Sequence, residues 1–323
     1  MKVMAAIAVS MVSLLAPVAV VEAQQTSALK RIGVVFTGTP AGSAGFLAQL
    51  REGLRERGWV EGQDVVIEVR YAEGKVERLG EIANELVRLP VDLIVTGGVP
   101  PTLATRKATQ TVPIVVAAAT DPVGSGLVSP GGNVAAFDVI PADAPGRQVE
   151  VLREFVPGLS RMALVWNRSN PASQLNARRA REAAQCLGLD VIAVEVEGAG
   201  ALDAAFAGLR DQGAQAAFLV ADPQFTAYRN RIGQITTASG LPTLCQERDY
   251  ADAGCVIAFG ANLLSMFRQS ASYVDRILKG TKPSELPVGP PTSFELAINA
   301  ASAKAMKLAI PQALLNRANA VIE

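Results

Sequence analysis

Two aspartates close apolar runs in matching phrases: Thr120-Asp121-Pro122 follows Val112 to Ala117, and Ala221-Asp222-Pro223 follows Ala216 to Val220. A carboxylate so placed has two uses. It can pair with the ammonium group of a small ligand, or it can cap the helix that follows. Thr37-Gly38-Thr39-Pro40 and Thr96-Gly97-Gly98 close two earlier runs. Their hydroxyls and free backbone N–H groups, lying before helix N-termini, suit a carboxylate or another anionic group, and they equally suit ordinary caps and turns. Trp166, Phe225 and Tyr250 sit at or near other run ends, where aromatic rings form either an apolar wall or core.

Most catalytic chemistry is missing. The chain has no histidine, which excludes Ser-His-Asp triads, Cys-His pairs, histidine metal sites and histidine proton shuttles. Thr96-Gly97-Gly98 lacks the spacing and lysine of a phosphate-binding loop, and Gly33 has no companion glycines for a dinucleotide fingerprint. Glu52 and Glu56 are four apart on a solvent-facing helix and read as solvated charges. Lysine plus arginine equals aspartate plus glutamate at 30 each, so nothing in the charge balance calls for nucleic acid. Carboxylate or lysine chemistry stays open, as in a secreted enzyme with paired carboxylates, but the residues point to binding without catalysis, with no cofactor and no metal.

The elements that would hold these loops alternate between short apolar runs and amphipathic stretches. Arg31 to Phe36 reads as a buried strand, Ser43 to Arg57 as a helix with Phe46, Leu50 and Leu54 on one face, and Gly58 as its stop. Val65 to Val69, Glu77 to Leu89, Asp92 to Val95 and a helix after Pro100-Pro101 continue the series to Val112. The order restarts at Arg161, with strand Met162 to Trp166, helix Ala172 to Leu187, strand Val191 to Val196, helix Leu202 to Asp211, strand Ala216 to Val220, helix Phe225 to Ala238 and Leu241 to Leu244. The chain is thus written twice, which predicts an α/β protein of two doubly wound parallel-sheet lobes joined by a hinge. Helix Leu263 to Leu278, a Gly/Pro-rich passage and strand Phe294 to Asn299 are expected to cross between lobes. The boundaries read as residues 28–138 plus 261–288 for one lobe and 139–260 plus 289–323 for the other.

Residues 1–23 read as a signal peptide: Lys2, an apolar stretch from Ala5 to Val21 broken by Pro17, and Val21-Glu22-Ala23 before Gln24. The expected location is the periplasm. No cysteine lies near that point, which opposes lipid attachment. Cys186, Cys245 and Cys255 are an odd number; Cys245 and Cys255 can pair in an oxidising compartment, and the preferred reading is three small buried residues.

Taken together, Glu61-Gly62-Gln63-Asp64-Val65, Tyr71-Ala72-Glu73-Gly74, Thr120-Asp121-Pro122-Val123, Pro130-Gly131-Gly132-Asn133, Arg276-Ile277-Leu278-Lys279-Gly280 and Pro291 to Asn299 resemble the ABC-transporter substrate-binding family related to TrpX. That family has the type 1 periplasmic-binding fold. The resemblance implies a monomeric periplasmic receptor that takes a small-molecule ligand, an amino acid or related carboxylate, to a membrane permease. A ligand-sensing subunit for a membrane kinase or chemoreceptor is the alternative. By similarity, the loops at Thr37, Gly97-Gly98, Asp121, Asn167 and Asp222 should line the cleft, and with Thr39 and Tyr250 they complete the expected site. Cys245 stands where relatives often carry an aromatic residue, and Cys255 where they often carry glycine.

Overall fold

A computed structural model describes residues 29–197, 199–222, 224, 225 and 228–323. The expected signal peptide and Pro223 lie outside the described residues. The strands are β1 (Lys30–Phe36), β2 (Val65–Tyr71), β3 (Leu93–Thr96), β4 (Ile114–Ala119) and β5 (Val134–Asp138), then β6 (Arg161–Asn167), β7 (Asp190–Val196), β8 (Ala216–Leu219), β9 (Thr243–Cys245) and β10 (Ile257–Ala261), and last β11 (Phe294–Asn299) and β12 (Ala320–Ile322).

They form two sheets, in the orders β2-β1-β3-β4-β5 and β12-β11-β10-β9-β8-β6-β7. The first five strands of the second set repeat the order of the first, β7-β6-β8-β9-β10, and every pairing within these fives is parallel. The doubling read from the sequence is therefore a doubling of topology. β11 departs from it: it returns antiparallel to β10 and carries β12 beside it.

Central strands are covered on both faces, which is why they read as unbroken apolar runs; Ile32, Val34 and Val35 in β1 and Met162 to Val165 in β6 are fully buried. Two helices flank the start of the first lobe's core, α1 (Pro40–Arg55) and the helix Leu263–Leu278, which pack tightly together. At Gly53 a Cβ would lie 2.2 Å from the Arg268 carbonyl oxygen, so only glycine allows this approach. Glu56 pairs with Arg268 across the same contact, and Glu52 pairs with Arg55, so both carboxylates sit below the usual range, chiefly through these hydrogen bonds.

Other helices are α2 (Leu79–Arg88), α3 (Val99–Ala108), α4 (Ala144–Phe155) and α5 (Pro171–Cys186). The helix expected over Leu202 to Asp211 is shorter, Leu202–Phe206, and the one expected from Phe225 is described over Arg229–Ser239. Among the described residues no helix is long and apolar enough to cross a membrane.

Three stretches carry the chain between the sheets. β5 passes through residues 139–143 into α4; β10 passes through Asn262 into helix Leu263–Leu278; residues 287–293 return to β11. The last two run side by side, with the Asn262 N–H donating to the Ser293 carbonyl at 3.0 Å and the Ser265 and Ser293 hydroxyls 2.7 Å apart.

The cysteines correct one expectation. Cys245 and Cys255 form a disulfide, both buried, whereas Cys186 is exposed rather than a small core residue.

Candidate ligand-binding cleft

In both sheets the strand order reverses beside the first strand: β1 has β2 on one side and β3 on the other, and β6 has β7 and β8. Chains leaving neighbouring strands there go to opposite faces, which opens a crevice at the carboxyl ends. The loops after β1 and β3 hold Thr37, Thr39, Gly97 and Gly98; Asn167 is the last residue of β6, and the loop after β8 holds Asp222. The crossings leave from the carboxyl ends of β5 and β10, so they join the two sheets along the edges that carry these loops.

In the first lobe, Thr39 caps α1, its Oγ1 accepting from the Gly42 N–H at 3.2 Å. Gly98 has φ +90°, a left-handed value suited to glycine, and its N–H donates to the Ala118 carbonyl at 2.7 Å. Thr102 donates to the Gly98 carbonyl at 2.6 Å, so in its 2.7 Å contact with Thr96 it is the acceptor. Gly97 lies against the Phe267 ring, where a Cβ would come within 2.8 Å. Phe267 in turn packs against Phe36 and Phe46, giving the loop an aromatic bed.

Asp121 follows β4 with φ +44°, and its Oδ1 accepts the Gly124 N–H at 2.9 Å. No helix lies between β4 and β5: residues 121–128 are turns and bends, so this bond closes a turn and does not cap the helix expected there. Its own N–H donates to Asp138 Oδ1 at 3.2 Å, and the Ile140 N–H donates to the same oxygen at 3.0 Å. Asp138 thus ties the β4 loop to the first crossing. Burial pushes its carboxyl above the ordinary range, opposed by those two N–H groups.

In the second lobe Asn170 caps α5 by accepting the Ala172 N–H at 3.0 Å, the counterpart of Thr39 on α1. Its amide donates to Asp222 Oδ2 at 2.8 Å, while Asp222 Oδ1 accepts the Gln224 N–H at 2.9 Å. Asn167 is buried; its side chain accepts the Ser169 N–H at 3.0 Å and shapes the turn. The Asn170 N–H also donates to the Asn167 carbonyl at 3.3 Å, so Asn167, Asn170 and Asp222 meet in one corner.

Tyr250 does not fit the expected apolar wall. It is 1% exposed, within the cluster that holds Phe225, Cys245 and Cys255, and so packs under the loops as core. Trp166 and Phe225 are also core, at 5% and 0% exposure.

Sequence reading missed the group that holds the second lobe's strand ends together. Gln246 Oε1 accepts the Ala221 N–H at 2.6 Å, its Nε2 donates to Gln148 Oε1 at 2.8 Å, and Gln148 Nε2 donates to the Phe259 carbonyl at 2.9 Å. The chain links β8, β9, β10 and α4, and both glutamines are buried. Only the place of Gln246 just after β9 hinted at it; Gln148 lies within α4, far away in sequence.

Two like lobes of doubly wound parallel sheet, joined by three crossings, make the fold of the type 1 periplasmic-binding proteins. Residues 44–322 match the family model described as ABC transporter substrate binding protein, and the chain belongs to that family. This is a family of solute-binding proteins, not of enzymes. A curated relative, the tyrosine-binding protein of Clostridioides difficile (strain R20291), is 21% identical over 260 residues, 79% of this chain and 74% of its own. Among solved structures, the ABC domain from Streptococcus pneumonia in complex with L-Trp superposes with a TM-score of 0.77 at 22% identity, covering 91% of this chain and 100% of that one. The ligand-free, open structure of CD0873 from Clostridium difficile gives a TM-score of 0.76 at 20% identity, covering 91% and 99%. At these identities the superpositions establish the shared fold.

Proposed function

We propose that the chain is the periplasmic receptor of an ABC importer, exported through residues 1–23. It traps one small polar ligand, an amino acid or a related carboxylate, between lobes 28–138 plus 261–288 and 139–260 plus 289–323, and delivers it to a membrane permease. The observation that carries this reading is the pairing of two strand-order reversals across three connecting stretches. Thr37, Thr39, Gly97, Gly98 and Asp121 would meet the ligand from one side, and Asn167 and Asp222 from the other, with Tyr250 as support beneath.

The chemistry supports a zwitterionic or anionic cargo. The N-termini of α1, α3 and α5 offer N–H groups and positive dipole ends to a carboxylate. Asp121 and Asp222 offer acceptors to an ammonium. Relatives of this fold are described as binding tyrosine or in complex with L-Trp, which supports amino acids as the first class to try. Closure would work by population shift: the ligand contacts both lobes only when they approach, so it favours the closed form by that difference in affinity. A thermal-unfolding screen with L-tyrosine, L-tryptophan, L-leucine and small aromatic carboxylates tests the reading. A ligand at 100 times its Kd should stabilise the fold by about 2.7 kcal/mol. A screen of the wider amino-acid and carboxylate classes in which no compound raises Tm would count decisively against it.

A further inference from the structure

The loop between β6 and α5 has two sides. Asn170 turns toward Asp222 and the cleft, whereas Arg168 turns away and pairs with Glu197 at the end of β7. On that outer side, between α5 and the edge strand β7, lies a cavity of about 560 Å³. It is separate from the Asn170–Asp222 corner and lined mainly by charged groups.

Its floor is Trp166, and the Arg181 guanidinium lies 5.5 Å from that ring's centroid. A guanidinium stacked on an indole face is held by the ring, while its N–H groups remain free to donate around its edge. Arg178 is three residues away on the same helix, so the two cations are neighbours on one face. Among the described residues neither Arg178 nor Arg181 forms an ion pair, although Arg168 beside them does. Two adjacent unpaired guanidiniums repel each other; an oxyanion between them removes that repulsion and takes charge-assisted hydrogen bonds from both. Glu195 lines the same cavity, also outside any ion pair among the described residues, and its like charge opposes an anion bound there.

We propose that the groove between α5 and the edge strand β7 is a second binding site, for a small oxyanion held by Arg178 and Arg181 over Trp166. The shared chemistry is a carboxylate or a phosphate group, and the two are told apart by the probes. Isothermal titration of the full mature chain with citrate and with inorganic phosphate, at constant ionic strength, tests it. Wild type should bind at least one of them saturably, one per chain, whether or not the cleft is filled. Arg178→Gln should weaken binding about tenfold, equivalent to about 1.4 kcal/mol, and Arg178→Gln with Arg181→Gln should abolish it. Glu195→Gln should tighten it by removing a like charge, a change no purely structural role for these residues predicts. Arg178 is exposed, so its single variant still reports if loss of the Arg181–Trp166 contact harms folding. Binding that persists unchanged in the Arg178→Gln and double variants would place the anion in the cleft and overturn the proposal, as would no saturable binding of either probe.

Discussion

Replacing Gln246 with alanine should cost more than its small size suggests, because its amide links the ends of β8 and β9 to α4. The side chain is 3% exposed and makes two bonds, accepting the Ala221 N–H at 2.6 Å and donating to Gln148 Oε1 at 2.8 Å. Gln246→Ala leaves both partners buried and unpaired. At about 1–3 kcal/mol for each orphaned group, the loss is roughly 2–6 kcal/mol, toward the low end if water enters the space. Gln148→Ala orphans the Phe259 carbonyl and Gln246 Nε2 instead, for a similar loss. The double variant breaks the shared bond only once, so it should cost less than the sum of the singles, by roughly 0.5–3 kcal/mol. Urea unfolding at equilibrium gives all three values. Because Ala221 precedes Asp222, Gln246→Ala should also weaken ligand binding where the protein remains folded. A loss below about 1 kcal/mol for Gln246→Ala, or strict additivity in the double variant, would refute the linked network.

Other consequences can be measured in the same way. The Cys245–Cys255 disulfide closes a short loop, with a sequence separation of 10; reducing it, or Cys245→Ser with Cys255→Ser, should lower stability by about 3 kcal/mol, read from urea midpoints with and without reductant. Gly53→Ala would normally favour a helix, yet its Cβ would fall 2.2 Å from the Arg268 carbonyl oxygen, so calorimetry should show a destabilisation of about 1–3 kcal/mol. The raised folded value of Asp138 means that the folded state holds this proton more tightly. Its contribution is therefore full below the ordinary value of 3.8 and is lost as pH rises through the folded value. Asp138→Asn keeps an oxygen for the two N–H groups, so its stability relative to wild type should be greatest at neutral pH and shrink on acidification, in urea midpoints taken across that range.

The lobes were legible because their central strands are buried on both faces and their helices are amphipathic. The runs at β1 and β6 and the helix Leu263–Leu278 read within a residue of their bounds. β5 and β10 were not legible as strands. Each has five residues, rich in alanine or glycine, with no alternation to mark a face. The loops of the candidate cleft could be picked out as breaks after apolar runs, but their internal bonds could not. Asn170 reaches Asp222 across 52 residues and Gln246 reaches Gln148 across 98, distances at which only the folded sheet determines contact. The disulfide was left open for the same reason, since pairing depends on the 6.7 Å between the two Cα atoms once β9 and the start of β10 are in register. Tyr250 misled because an aromatic residue near a strand end looks alike whether it faces a cleft or the core.

The most direct test of the cleft is native mass spectrometry of the protein purified gently, without unfolding, from the cells that make it. A receptor that closes around its cargo should carry one small molecule per chain. Adding the released compound back should restore the adduct and raise Tm, and both effects should fall in Asp222→Ala. An empty chain that no amino acid or carboxylate refills, or an adduct that Asp222→Ala and Asp121→Ala both leave untouched, would contradict the account.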